Sequence, residues 1–181
     1  DIKINSLRWG NCPMNALDES KPEDVEILSR ILTNNELPRQ PEIHIQISVP
    51  NEFTPIAKYN IGVTAGIENT APKAEWIQGM NRMNMNIVPS KFVKGIFESV
   101  SYEEINEQTK QKTGELRCTS PIEVLFEGAD TKIYGKTKDI SDELKAEMGS
   151  IDERFVFLYT GHWLQGDLGQ DRKDTGMLLQ T

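Results

Sequence analysis

The chain has 181 residues, 37% hydrophobic and 27% charged, and its 28 acidic against 20 basic side chains give a formal net charge of −8. That length suits one domain, or one domain plus part of another, and needs no disulfide or metal staple to bury a core. The acidic balance, with no local Lys/Arg block, argues against a nucleic-acid partner, which requires a basic face to displace counterions from phosphates.

Ile2, Ile4 and Leu7 open a short strand, followed by the polar turn region Gly10 to Pro13. Lys21-Pro22-Glu23-Asp24 then starts a helix, because proline and acidic residues suit a first turn where the dipole is positive. Val25, Leu28, Ile31 and Leu32 mark its apolar face, and Asn34-Asn35 with Pro38 to Pro41 end it. Ile43 to Val49 alternates and is rich in β-branched residues, a strand stopped by Pro50, and Tyr59 to Thr64 is a second. Thr70-Ala71-Pro72 signals a helix with Trp76, Ile77 and Met80 on its apolar side. Met80, Met83 and Met85 around its end read as core filler.

Asn86 to Pro89 is a third strand, and Ser90 caps a helix whose Val93, Ile96, Phe97 and Val100 form the clearest helical stripe in the chain. Glu103 to Gly114 is polar and reads as a solvated helix end or a loop. Ile122 to Phe126 is another strand. Residues 134 to 151 read as a linker in which Ile140 and Leu144 seat one helical turn. Arg154 to Thr160 is an apolar run of the kind found in a strand covered on both faces. A loop with Gly161, Gly166 and Gly169 follows, then a helix start near Arg172.

This alternation predicts an α/β fold with a Rossmann-like parallel sheet and helices on both faces. Its working loops belong at the carboxyl ends of the strands: Ser48 to Pro55, Ala65 to Thr70, Pro89-Ser90, Glu127 to Asp130 and Gly161 to Lys173. In the second loop Glu68 suits a base or a ligand for sugar hydroxyls, while Asn69 suits an oxygen ligand or a helix cap. Glu52 is either a cleft residue or an exposed loop glutamate, and His44 reads as a structural histidine. Arg172 and Lys173 at a helix start oppose the dipole, so an anion such as a diphosphate accounts for them better than helix stability does. Their alternative is a solvated pair facing Asp167, Asp171 and Asp174.

No apolar run approaches the ~20 residues of a spanning helix, so the chain is expected not to be transmembrane, and to be cytoplasmic. Cys12 and Cys118 lie far apart and read as free thiols, with one disulfide left open, and the two histidines have no companions at zinc spacing. Asp1 to Asn5 reads as a strand already under way, and Gly176 to Gln180 as a helix without a closing cap, which predicts a piece of a longer protein.

Three tracts carry a resemblance. Val88-Pro89-Ser90 closes a strand before a helix, Glu127-Gly128-Ala129-Asp130 follows a strand, and Phe157-Leu158-Tyr159-Thr160-Gly161 leads to a helix start at Arg172-Lys173. In this order they resemble the GT-B glycosyltransferases of the family-four type. The resemblance implies residues 1–138 as an incomplete N-terminal, acceptor-side domain, 139–153 as a linker, and 154–181 as the first strand and helix of the C-terminal donor-binding domain. It implies transfer of a sugar from a nucleotide-diphosphate-sugar donor to a carbohydrate, lipid or protein acceptor, with no obligatory cofactor or metal. Lys173 falls where the family's lysine contacts the donor diphosphate, and Gly161 and His162 where the family has glycine and arginine, with Arg172 as a substitute cation. Glu68 and Asn69 fall in the catalytic cleft, where many members place a histidine that this chain lacks. That departure keeps a second expectation open, a non-catalytic nucleotide- or sugar-binding α/β module. With a central strand missing, the chain alone is expected to be inactive and to self-associate through an exposed sheet edge.

Overall fold

The computed structural model describes residues 2–7, 15–34, 36–37, 39–66, 70–106, 108–136, 139–161 and 175–180. The chain divides into two compact units, Asp1–Gly128 and Ala129–Thr181. Along the first run α1 (Pro22–Leu28), β1 (Ile43–Ile47), a 3₁₀ turn (Pro50–Glu52), β2 (Tyr59–Val63), α2 (Ala74–Asn81), β3 (Met85–Val88), α3 (Lys91–Ser99), β4 (Ser101–Ile105), β5 (Lys112–Arg117) and β6 (Ile122–Val124). The second holds α4 (Asp142–Gly149) and α5 (Thr175–Leu178).

Four strands form one sheet in the order β1-β2-β3-β6, every neighbouring pair parallel. Each connection steps the same way across the sheet, so right-handed crossovers carry α2 and α3 to a single face. There Val88 and Ile122 of the sheet join Ile77 and Met80 of α2, Val93 and Phe97 of α3, and Phe53 in one buried cluster. The fold is therefore mixed α/β with a parallel sheet, as expected. The second helical layer is not found among the described residues: on the other face Ile43, Ile45 and Ile47 remain 61%, 58% and 66% exposed.

Helix α3 forms where its stripe predicts. Ser90 accepts a hydrogen bond from the Val93 amide at 3.2 Å, and Val93, Ile96 and Phe97 are buried. Val100 already has extended backbone and ends the helix. Helix α2 starts at Ala74, after Pro72, and buries Ile77 and Met80 completely, while Trp76 stacks on Phe97 at 6.4 Å. Met83 joins the core as its filler.

Five expectations are corrected. Ile4 makes only an isolated parallel bridge to Ile31, with Ile2 and Leu7 exposed, so no amino-terminal strand enters the sheet among the described residues. Helix α1 ends at Leu28 and buries no residue, because Ile31 is taken by that bridge. The polar stretch after α3 is an antiparallel hairpin, β4 with β5. Its apolar alternation is absent because both strands are mostly solvated; cross-strand chemistry such as Lys112 to Glu103 at 2.9 Å accompanies its ladder instead. Residues 155–160 form no strand, and Phe157 and Leu158 are each 87% exposed, since no described segment pairs with their backbone. The expected single helical turn near Leu144 is the eight-residue α4, capped by Ser141 and burying nothing. No helix among the described residues is long and apolar enough to cross a membrane.

Asparagines tie down the amino ends of the strands. Asn60 Oδ1 accepts from the Ile56 and Ala57 amides, both at 2.9 Å, and its own amide donates to Asn84 Oδ1 at 2.8 Å. Asn86, fully buried, donates through Nδ2 to the Met80 carbonyl at 3.1 Å and to Ser120 Oγ at 2.9 Å. Ser120 passes the connection to the Met83 carbonyl at 2.8 Å. Asn81 Nδ2 donates to the Arg117 carbonyl at 2.7 Å, and Asn81 Oδ1 accepts from the Thr119 amide at 2.8 Å. Replacing Asn86 with Ala orphans buried polar groups and opens a cavity, so urea denaturation is expected to show a loss of about 2–3 kcal/mol.

His44 sits on the helix-covered side of β1, and its Nδ1 is buried without a partner. Desolvation is the largest influence and pulls its pKa below the ordinary 6.5, outweighing contacts with Asn60 and the Thr54 backbone that act the other way. The folded chain thus holds His44 neutral while the unfolded chain protonates first. Stability is unaffected above pH 6.5 and is lost as pH falls from there toward the depressed folded value. Between pH 7 and 5 the urea midpoint of a His44→Gln variant is expected to fall less than that of the parent.

Candidate functional site

The parallel strands all end on the same side, and there the structure opens a groove of about 290 Å³. Its walls come from the end of every strand of the sheet: Ile47-Ser48 at the end of β1, Val63 to Ala65 at the end of β2, Ile87 to Pro89 at the end of β3, and Leu125 to Glu127 just after β6. A parallel sheet necessarily gathers its carboxyl ends in this way, and four of the five loops expected to work flank this side.

Backbone pairing persists past the strands and engages three amides of the walls. The Ser48 amide donates to the Val63 carbonyl at 3.1 Å, Thr64 to Ile87 at 3.1 Å, and Leu125 to Val88 at 3.0 Å. Ser48 and Thr64 are themselves buried. Ser48 Oγ donates to the Val49 carbonyl at 3.3 Å and accepts from Gln46 at 3.2 Å, and Thr64 Oγ1 accepts from the Gly66 amide at 3.3 Å. What remains is largely hydrocarbon, with Glu127 as the ionisable side chain among the described lining residues.

Two loops that leave the strand ends are fastened individually. After β1, residues 50–53 are clamped by Arg82 at the end of α2: its Nε donates to the Phe53 carbonyl and its Nη2 to the Asn51 carbonyl, each at 2.8 Å. Gln46 closes the same loop from the strand side, donating to the Glu52 carbonyl at 2.9 Å and accepting from the Thr54 amide at 2.8 Å. After β2, Gly66 takes φ +79° and lies so close to α3 that a Cβ would stand 2.3 Å from Val93 Cγ1. Only glycine meets both demands.

Of the predicted site residues, Glu68, Asn69, His162, Arg172 and Lys173 lie outside the described residues, as does Cys12. Gly161 is described and is exposed beside Tyr159, in the second unit. Glu52 is exposed on the 3₁₀ turn and does not line the groove, which decides its open reading as a loop glutamate. Cys118 is a free, half-buried thiol whose pKa burial raises. The apolar walls and the Arg82 clamp escaped the sequence reading. Their signal was present: four strand ends each carrying Ile, Val or Leu, and an arginine at a helix end with no carboxylate at helical spacing on its amino-terminal side.

Among the described residues no three His, Cys, Asp or Glu side chains are grouped to hold a metal ion, and no nucleophile–base pair lines the groove. The arrangement suits reversible binding of a ligand at the strand ends. A Gly66→Ala substitution is expected to cost about 1–3 kcal/mol through positive φ and the Val93 clash, read as a drop in thermal midpoint, whereas Gly95→Ala, with open space at its Cβ, leaves it level or higher. No protein family, curated protein or solved structure matches the chain.

Proposed function

We propose that this chain is part of a glycosyltransferase that moves a sugar from a nucleotide-diphosphate-sugar to an acceptor seated against the first unit. The observation that carries the reading is the setting of Val88-Pro89-Ser90. Val88 ends β3, Ser90 caps α3, and Val88 and Pro89 line the groove. Two further features support it. Glu127, which lines the same groove, and Gly128 follow β6, and the strands run in the sequential order that one half of a doubly wound sheet has by itself. In this reading the diphosphate leaving group is stabilised by Lys173 and Arg172, whose fixed positive charge offsets charge developing on the departing oxygen. Glu68 and Asn69, on the connection after β2, serve the acceptor side.

Calorimetric titration of the extended protein, carrying a complete donor-binding domain beyond this chain, with a panel of nucleotide-diphosphate sugars tests the proposal, with release of nucleoside diphosphate on addition of hydroxylated acceptors as the second readout. One donor is expected to bind, and Lys173→Ala to weaken it about tenfold, equivalent to roughly 1.4 kcal/mol. Absence of binding across the panel, or donor affinity indifferent to Lys173, sinks the reading. A second reading, a non-catalytic nucleotide- or sugar-binding module, is favoured by the lack of a nucleophile–base pair among the described groove residues. Binding without nucleotide release is its signature.

A further inference from the structure

The sheet has two edges, β1 and β6. Strand β6 is three residues long with Glu123 at its middle, a short, charged edge of the kind that resists further pairing. Strand β1 has neither defence: Ile43 to Ile47 reads I-H-I-Q-I, five residues without proline, lysine or a carboxylate. Its backbone is half used. The Glu42 carbonyl accepts from the Tyr59 amide at 3.0 Å, and the Ser48 amide donates to the Val63 carbonyl at 3.1 Å, so the even-numbered residues turn their polar groups toward β2. Ladder bonding alternates along a strand, so Ile43, Ile45 and Ile47 present amide and carbonyl outward, and no described segment pairs with them. Their side chains are 61%, 58% and 66% exposed. An edge with unspent backbone hydrogen bonds and bare hydrocarbon is completed by another strand.

The residue pattern selects which strand. I-x-I-x-I reads the same from both ends. Laid antiparallel about Ile45, a second β1 sets Ile45 on Ile45, Ile43 on Ile47 and Ile47 on Ile43, with all these side chains on the open face. The outward groups match in the same register, because each of these pairs is of the kind that exchanges both its hydrogen bonds. A shift of two residues either way opposes Ile45 to Pro41 or Val49 and leaves outward groups unmatched. The charges agree as well. The strand holds none and Glu42 falls opposite Ser48, so a chain of net charge −8 brings no like pair together at the contact.

We infer that β1 is a homodimerisation edge, on which two copies of this chain pair antiparallel about Ile45 and join two four-stranded sheets into one. The contact spans five residues, about 17 Å, which is small among specific interfaces, so association depends on concentration. It stands apart from the transferase reading, and neither needs the other.

Sedimentation velocity of the chain over roughly 1 μM to 1 mM, the affinity range of small interfaces, is the first test. The mass is expected to rise from monomer toward dimer. Ile45→Lys, which sets like charges directly opposite, is expected to hold the chain monomeric. Ile45 is exposed, and a urea midpoint equal to the parent's checks that this variant folds. Single cysteines in a chain carrying Cys12→Ser and Cys118→Ser read the register. Directly opposite residues of this kind stand about 5.5 Å apart at their Cα atoms, within disulfide range. Ile45→Cys is therefore expected to form a linked dimer on mild oxidation. Ile43→Cys alone is expected to link about tenfold more slowly, its two copies standing about 13 Å apart, and mixing it with Ile47→Cys to restore linking. A monomer across the whole range, dimerisation indifferent to Ile45→Lys, or Ile43→Cys linking as fast as Ile45→Cys overturns the inference. Where Ile45→Lys fails to fold, the cysteine series decides alone.

Discussion

The buried carboxamide of Asn86 is the constraint on which the first unit turns. It sits at the centre of the sheet, fully buried, and reaches both the end of α2 at Met80 and the segment leading into β6 at Ser120. A polar group so placed contributes only when its hydrogen bonds are made, so it admits few arrangements of α2, β3 and β6 relative to one another. Asn81 adds the end of β5, and Asn60 with Asn84 adds the start of β2. These side chains hold the amino ends of the strands in place of apolar contacts, and they explain how a core with few large side chains keeps a single register. Asn86 Oδ1 itself has no partner, so the network also carries an unfavourable desolvation.

With the amino ends so held, the carboxyl ends are free to differ. Their loops are short and fastened individually, one by Arg82 and Gln46, the other by Gly66 against Val93. The result divides the sheet by role: polar ties at one end, an apolar groove at the other. The two faces divide similarly. Helices cover the face carrying His44, Gln46, Asn60 and Asn86, while the isoleucines of β1 lie on the open one. Parallel sheets are ordinarily covered on both faces, so the exposed isoleucines mark surface for which the described residues supply no layer.

Legibility followed the local strength of each signal. Helix α3 was plain because a serine cap and an i, i+3, i+4 stripe agree with its burial, and the parallel strands because β-branched runs stop at Pro50, Thr64 and Pro89. The hairpin β4–β5 was hidden because its strands face water on most sides and its turn is built by Asn106, whose Oδ1 accepts from the Gln108 and Thr109 amides. The run after Arg154 misled in the opposite direction: its composition suits a buried strand, but composition supplies no partner. At the site, strand-end loops were legible as places. Their chemistry was not, because the Ser48 and Thr64 amides are engaged by carbonyls of neighbouring strands far along the chain, Val63 and Ile87.

What the amino-acid sequence determined by itself is the set of elements whose cause is local: capped α3, proline-limited strands, the acidic surface, and glycine where φ must be positive. Tertiary structure alone decided the strand order, the closing of the asparagine network, and which side of each strand meets the helices. Those depend on pairing between residues far apart in the chain, for which no local periodicity speaks. The groove belongs to the second group, since it exists only once four separate strand ends have been brought to one edge.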